Sequence, residues 1–301
     1  MIADGDIARE QMTQPLELSE EALSLLPEKP REHLPKTTLH QAMTHAAGFT
    51  DCLCHPSGYM DRLKSGEELT ATRPEDFLQF AQNTVCDFEP GKGSNYSNTG
   101  ILLAGLAAQH LYNRNKPESE RETYQELLEE KILRPAEIEN FSVPKPENAL
   151  FNEERVVAGK INGSPAGGYW TTASDMQKFG RWLCKNWQNE GFRNVAQEFF
   201  DTKSQTIQHG GGIPGPTKGS PGSTTWFSVN MENGIVVVVA GYRDGGATFG
   251  LNSTLAVNKA VERRSVSSKN RIHPSGGKAP PMLIKMRFCP AGQNSSFLAT
   301  P

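Results

Sequence analysis

Tyr96, Ser97 and Asn98, in the stretch GSNYSNTGILLAGL, place a phenol two residues ahead of a carboxamide at the mouth of an apolar run. A free tyrosine titrates near ~10, so this phenol can take a proton at neutral pH only beside a cation. The same residues can instead cap a helix, with a Ser97 or Asn98 oxygen accepting a backbone N–H and the Tyr96 ring packed beneath. His209 to Gly212, HGGG, is a second candidate. Glycines let a substrate carbonyl approach main-chain N–H groups, as an oxyanion hole requires. The plainer alternative is a glycine-rich strand end with a surface histidine. An HGGG loop of the α/β-hydrolase kind needs a Gly-x-Ser-x-Gly elbow downstream, and the sequence contains none. Cys52, Cys54 and His55 could form half of a metal site, but no second Cys/His pair stands at a usable spacing, so no metal and no cofactor is expected.

The chain around these residues has 301 residues and a net charge of −3, with 22% charged residues. That length can bury a sizeable core in one large or two smaller domains. No basic stripe points to nucleic acid as a partner. No apolar run approaches the ~18 residues that a membrane span needs. The first residues, MIADGDIARE, lack the basic flank and apolar run of a secretory signal, so localisation is unknown from the sequence, with cytoplasmic only as the default. Its five cysteines are too few and too irregular for a disulfide framework.

Several elements can be placed from pattern. A short helix is expected within 16–26 with Ser19 as its cap, then a loop containing Pro27, Pro30 and Pro35. A second short helix is expected over 38–45. Pro74 suits the first position of a helix that buries Phe77, Phe80 and Ala81. The stretch 99–112 is apolar nearly all round and should form a buried helix. Tyr124, Leu127, Leu128 and Ile132 share a helical stripe that ends at Pro135. Thr172 and Asp175 read as a capping box ahead of Met176, Phe179 and Leu183. After about residue 203 the pattern becomes strand-like, with a hairpin around Asn233-Gly234 and a final helix at 251–264. Residues 265–301 are rich in Ser, Pro and Gly, hold no acid, and are expected to be disordered. The expected organisation is one domain over 1–264, mainly helical over about 36–200 and antiparallel strands plus a helix over about 203–264, followed by a 265–301 tail.

Taken in order, THAAGF (44–49), EPGKGSNYSNTG (89–100), AGGYWTTASDM (166–176) and HGGGIPG (209–215) resemble segments of the serine β-lactamase and penicillin-binding-protein superfamily. The branch they resemble holds class C β-lactamases, D-alanyl-D-alanine carboxypeptidases and family VIII esterases. The resemblance covers roughly residues 1–262. It implies an α+β fold, a helical domain beside an antiparallel sheet flanked by helices. It also implies acyl transfer on a small ester, amide or D-alanyl peptide. Carried over, Tyr96 is the proton shuttle, Asn98 an amide that orients substrate, His209 and Gly211 the third motif, and Gly212 a backbone oxyanion donor. Histidine where many relatives carry lysine tilts the expectation slightly towards an esterase or peptidase.

The Ser-x-x-Lys turn that supplies the nucleophile in this superfamily has no counterpart before Tyr96. Two Ser-x-x-Lys pairs exist elsewhere. Ser142 and Lys145 have Pro144 between them and Pro146 after them, which excludes a shared helical turn. Ser275 and Lys278 flank two glycines in the expected tail. MIADGDIARE resembles the exit of the nucleophile helix, so the expectation is an N-terminally shortened and inactive chain with no nucleophile. The alternative is a non-catalytic pseudoenzyme that binds a small ligand or partner. The strand expected at 234–241 would then be an open β-branched edge suited to self-association.

Overall fold

The computed structural model describes residues 9–67, 69, 71–83, 86–142, 163–213 and 221–244. The chain divides into units 1–247 and 248–301, and every described residue belongs to the first. The expected helix at 251–264, the tail and the 264/265 boundary lie outside the described residues.

The helical part begins with α1, Glu20–Leu25, whose cap Ser19 accepts the Ala22 N–H at 3.2 Å. Residues expected to be a proline loop instead include a helix, α2, Glu28–His33. Its Pro30 sits in the first turn, where backbone N–H groups have no helical acceptor, so the missing N–H costs nothing there. Next comes α3, Leu39–Met43, opened by a reciprocal box in which Thr38 and Gln41 cap each other's backbone. Helix α4, Tyr59–Lys64, leads to a 3₁₀ segment, Pro74–Phe80, that buries Phe77, Leu78 and Phe80. Helix α5, Asn98–Asn113, is the spine of this part: Leu102, Leu103, Ala104, Leu106 and Ala107 are all buried in one cluster with Leu26, Leu39, Phe49 and Phe77.

Helix α6, Tyr124–Leu128, runs into a π-helical turn, Glu129–Leu133. The wider turn alters the register, so Leu133 is buried where the simple helical stripe expects Ile132. Strands β1, Phe141–Ser142, and β2, Trp170–Thr171, form a small antiparallel pair. Helix α7, Ala173–Asn186, starts at Thr172, and α8, Glu190–Ala196, follows.

A second sheet holds β3, Phe200–Asp201; β4, Thr206–Ile213; β5, Pro221–Asn230; and β6, Val236–Asp244, in that order and all antiparallel. Paired residues share a face, so Ile207 and Val229, and His209 and Phe227, point the same way. On that face Phe227, Val229 and Ile207 pack with Met176, Phe179 and Leu183 of α7. Gly180 permits the close approach, because a Cβ there would lie 2.6 Å from the Val236 methyls. The hairpin turn is wider than a two-residue turn. Gly234, at φ +71°, closes it by donating to the Asn230 carbonyl at 2.9 Å, while the Asn230 side chain accepts from the Glu232 and Asn233 N–H groups.

Candidate active site

The site is built at the N-terminus of α5, where helix geometry leaves backbone N–H groups unpaired. Ser97 is the cap, and its hydroxyl accepts the Gly100 N–H at 3.3 Å. Asn98, only 6% exposed, is the first helical residue. Its backbone N–H and its Nδ2 both donate to Oδ2 of Asp51, at 3.1 and 2.7 Å. The other Asp51 oxygen accepts the Leu53 and Cys54 N–H groups at 2.7 and 2.8 Å. One residue along, Thr99 Oγ1 donates to the Thr50 carbonyl at 2.7 Å and accepts the Cys52 N–H at 2.8 Å. The 50–54 loop and the helix start are thus knitted together.

Tyr96 lies at the rim, 53% exposed. Its hydroxyl donates to Asn98 Oδ1 at 3.3 Å, and its ring lies 4.4 Å from that of His45, tilted by 41°. Partial burial raises the phenol above its ordinary pKa, and Asp51 and Cys54 push it the same way. A raised phenol stays protonated at neutral pH.

His45 occupies a left-handed backbone position, φ +59°, which costs a non-glycine residue roughly 1–2 kcal/mol. Two bonds hold it there: its carbonyl accepts the Asn95 N–H at 3.0 Å, and Nδ1 accepts the Ser97 N–H at 3.3 Å. Accepting at Nδ1 places the ring proton on Nε2. Burial lowers the His45 pKa, and a neighbouring His209 lowers it further, so the imidazole is neutral at pH 7. Gly48, at φ +88°, closes the turn after it, and a side chain there would collide with the Phe88 carbonyl.

His209 stands on β4 opposite Phe227 and is exposed. Strand β3 pairs only with Thr206 and Ile207. From Gln208 onward β4 is therefore an outer edge among the described residues, and alternate N–H groups point away from β5. Gly211 and Gly212 lie on this edge opposite Thr225 and Thr224. A Cβ at Gly211 would lie 2.6 Å from the Thr225 hydroxyl.

Tyr96 and Asn98 are thus in contact, and Gly211 and Gly212 share the strand of His209. The Asn98 Nδ2 donates to Asp51 and lies 3.8 Å from the Cys54 sulfur, while its Oδ1 accepts from Tyr96. Asp51 and His45 were not singled out from sequence. Asp51 had a local signal, because an aspartate that accepts N–H groups two and three residues on makes an Asx-type turn, as in DCLC. Cys52 is fully buried and its thiol is pushed up to about 12, chiefly by desolvation. Among the described residues no three His, Cys, Asp or Glu side chains converge as a metal site. An apolar groove of about 400 Å³ opens between Leu16, Leu23, Leu34 and His110, and no site residue lines it.

Residues 9–261 match the Beta-lactamase family. The chain belongs to this family. No curated protein matches it. Among solved structures it is similar to a penicillin binding protein from Bacillus halodurans, with 17% identity over 88% of this chain and 80% of that one and a TM-score of 0.57. It is also similar to a D-stereospecific amidohydrolase from Streptomyces sp., at 19% identity over 74% and 78%, TM-score 0.52. A D-amino acid amidase from Ochrobactrum anthropi SV3 has 16% identity over 82% and 81%, TM-score 0.50. At these identities the likeness concerns fold. It agrees with the helical part beside an antiparallel sheet that the β-lactamase resemblance implied. No helix among the described residues is long and apolar enough to cross a membrane.

Proposed function

We propose that these 301 residues carry the substrate-facing and proton-handling groups of a β-lactamase-family acyl-transfer site, and do not complete acyl transfer on their own. The observation that carries this reading is the state of Tyr96. Burial, Asp51 and Cys54 all raise its phenol, and its hydroxyl is a donor to Asn98. Such a tyrosine holds its proton and is no base at neutral pH.

The sequence supports the same reading. Before Tyr96 the serines are Ser19, Ser24, Ser57, Ser65 and Ser94, and the residues three places on are Ala22, Pro27, Met60, Glu68 and Ser97. None gives the lysine that activates the family's serine. Tyr96 and His209 would face a small ester, amide or D-alanyl peptide, and one Gly212 N–H would polarise its carbonyl. In subtilisin, loss of the nucleophile costs a factor of ~10⁶ in turnover, and a comparable loss is expected here. The protonated phenol also favours a second reading, a site that binds a small ligand without converting it.

The test is hydrolysis of nitrocefin and p-nitrophenyl acetate by the chain and by its Tyr96→Phe form. Equal rates, no higher than those of an unrelated protein with the same number of surface nucleophiles, are expected. Faster turnover that disappears in Tyr96→Phe overturns the reading.

A further inference from the structure

The Asp51 carboxylate makes more bonds than any other side chain around Tyr96, and it binds two separate pieces of chain. Oδ1 accepts the Leu53 and Cys54 N–H groups of its own turn. Oδ2 accepts from the backbone N–H and Nδ2 of Asn98, 47 residues away. Bonds to an ionised acceptor are stronger than neutral ones, and a carboxylate at a helix N-terminus gains further from the helix dipole. Helix α5 has 16 residues, so that dipole is well developed.

A carboxamide is planar and its N and O ends point apart. Once Nδ2 is held on Asp51, Oδ1 must face the other way, and there it accepts the Tyr96 hydroxyl at 3.3 Å. The Cys54 sulfur lies 3.8 Å from the same Nδ2 and closes off that side of the amide.

We propose that Asp51 is the positioning residue of this site, acting through Asn98 to fix the Tyr96 hydroxyl, with the Asn98 amide serving that relay instead of donating to substrate. The proposal deepens the reading of Tyr96 as the proton-handling residue and rests on it. Its test involves no turnover, so the two can fail separately.

Tyrosines carrying ¹³C at Cζ are titrated by NMR in the full chain, and Tyr96→Phe assigns the Tyr96 signal. The groups that weigh on this phenol are His45, which packs on its ring, Asp51 and Cys54, and His209 in turn lowers the pKa of His45. Asp51→Asn removes a negative charge and the acceptor for Nδ2, so the Tyr96 midpoint falls. Asn98→Ala removes the acceptor that favours the protonated phenol, so the midpoint again falls. In the double variant the two shifts are less than additive, because both break one chain of bonds. A Tyr96 midpoint unchanged in a folded Asp51→Asn chain overturns the proposal, as do fully additive shifts. If Asp51→Asn does not fold, Asn98→Ala decides alone, and an unchanged midpoint there overturns it.

Discussion

Tyr96 spends its hydroxyl on Asn98 and one face of its ring on His45, and every group that weighs on it favours the phenol over the phenolate. At neutral pH the unmodified chain will therefore show no tyrosinate absorbance from this residue. A difference titration against Tyr96→Phe checks this, with a midpoint above the ordinary ~10 as the expected result. Asp175, 1% exposed, carries a stability prediction. Burial alone would raise its pKa, but bonds from Lys178, Asn140 and Thr172 outweigh burial and hold the carboxyl well below the usual range. A depressed acid stabilises the fold above its unfolded pKa of about 4, and that stability drains away as pH falls towards the folded value. Asp175→Asn will cost about 2–3 kcal/mol at pH 7, and its thermal midpoint will decline less in acid than that of the parent chain. Tyr96, Asn98 and HGGG were legible because they fall in an ordered set of segments. Asp51 carried only the Asx-turn signal of DCLC, and its hold on the start of α5 depends on a contact 47 residues away.

At the scale of elements, α3, α5 and α7 follow from their caps and apolar spacing: Thr38, Ser97 and Thr172 each accept a first-turn N–H. Ser97→Ala will cost about 1 kcal/mol in the denaturant midpoint, the usual loss for an N-cap. Helix α2 was hidden because three prolines suggest a loop, whereas Pro30 is harmless in a first turn. The π turn after α6 was hidden because an extra residue leaves no mark on composition. Strand β6 was legible as VVVV next to Asn-Gly, and it is the last strand of the sheet among the described residues. Such a β-branched edge invites pairing with a second copy of the chain. Sedimentation velocity over a concentration series will show association that Val237→Lys weakens. A single concentration-independent monomer would count against it.

Among the described residues of the molecule, two clusters carry the fold: one around α5, and one where α7 covers β5 and β6. The first fixes Tyr96 and Asn98, and the second fixes the strand of His209, Gly211 and Gly212. The Beta-lactamase family match runs through both, and no Ser-x-x-Lys pair stands before Tyr96 in these 301 residues. The most direct measurement is intact-mass spectrometry of the folded chain after incubation with a penicillin. The account predicts that the mass stays that of the unmodified polypeptide. A stoichiometric acyl adduct that maps to a serine and is lost in Tyr96→Phe would contradict it.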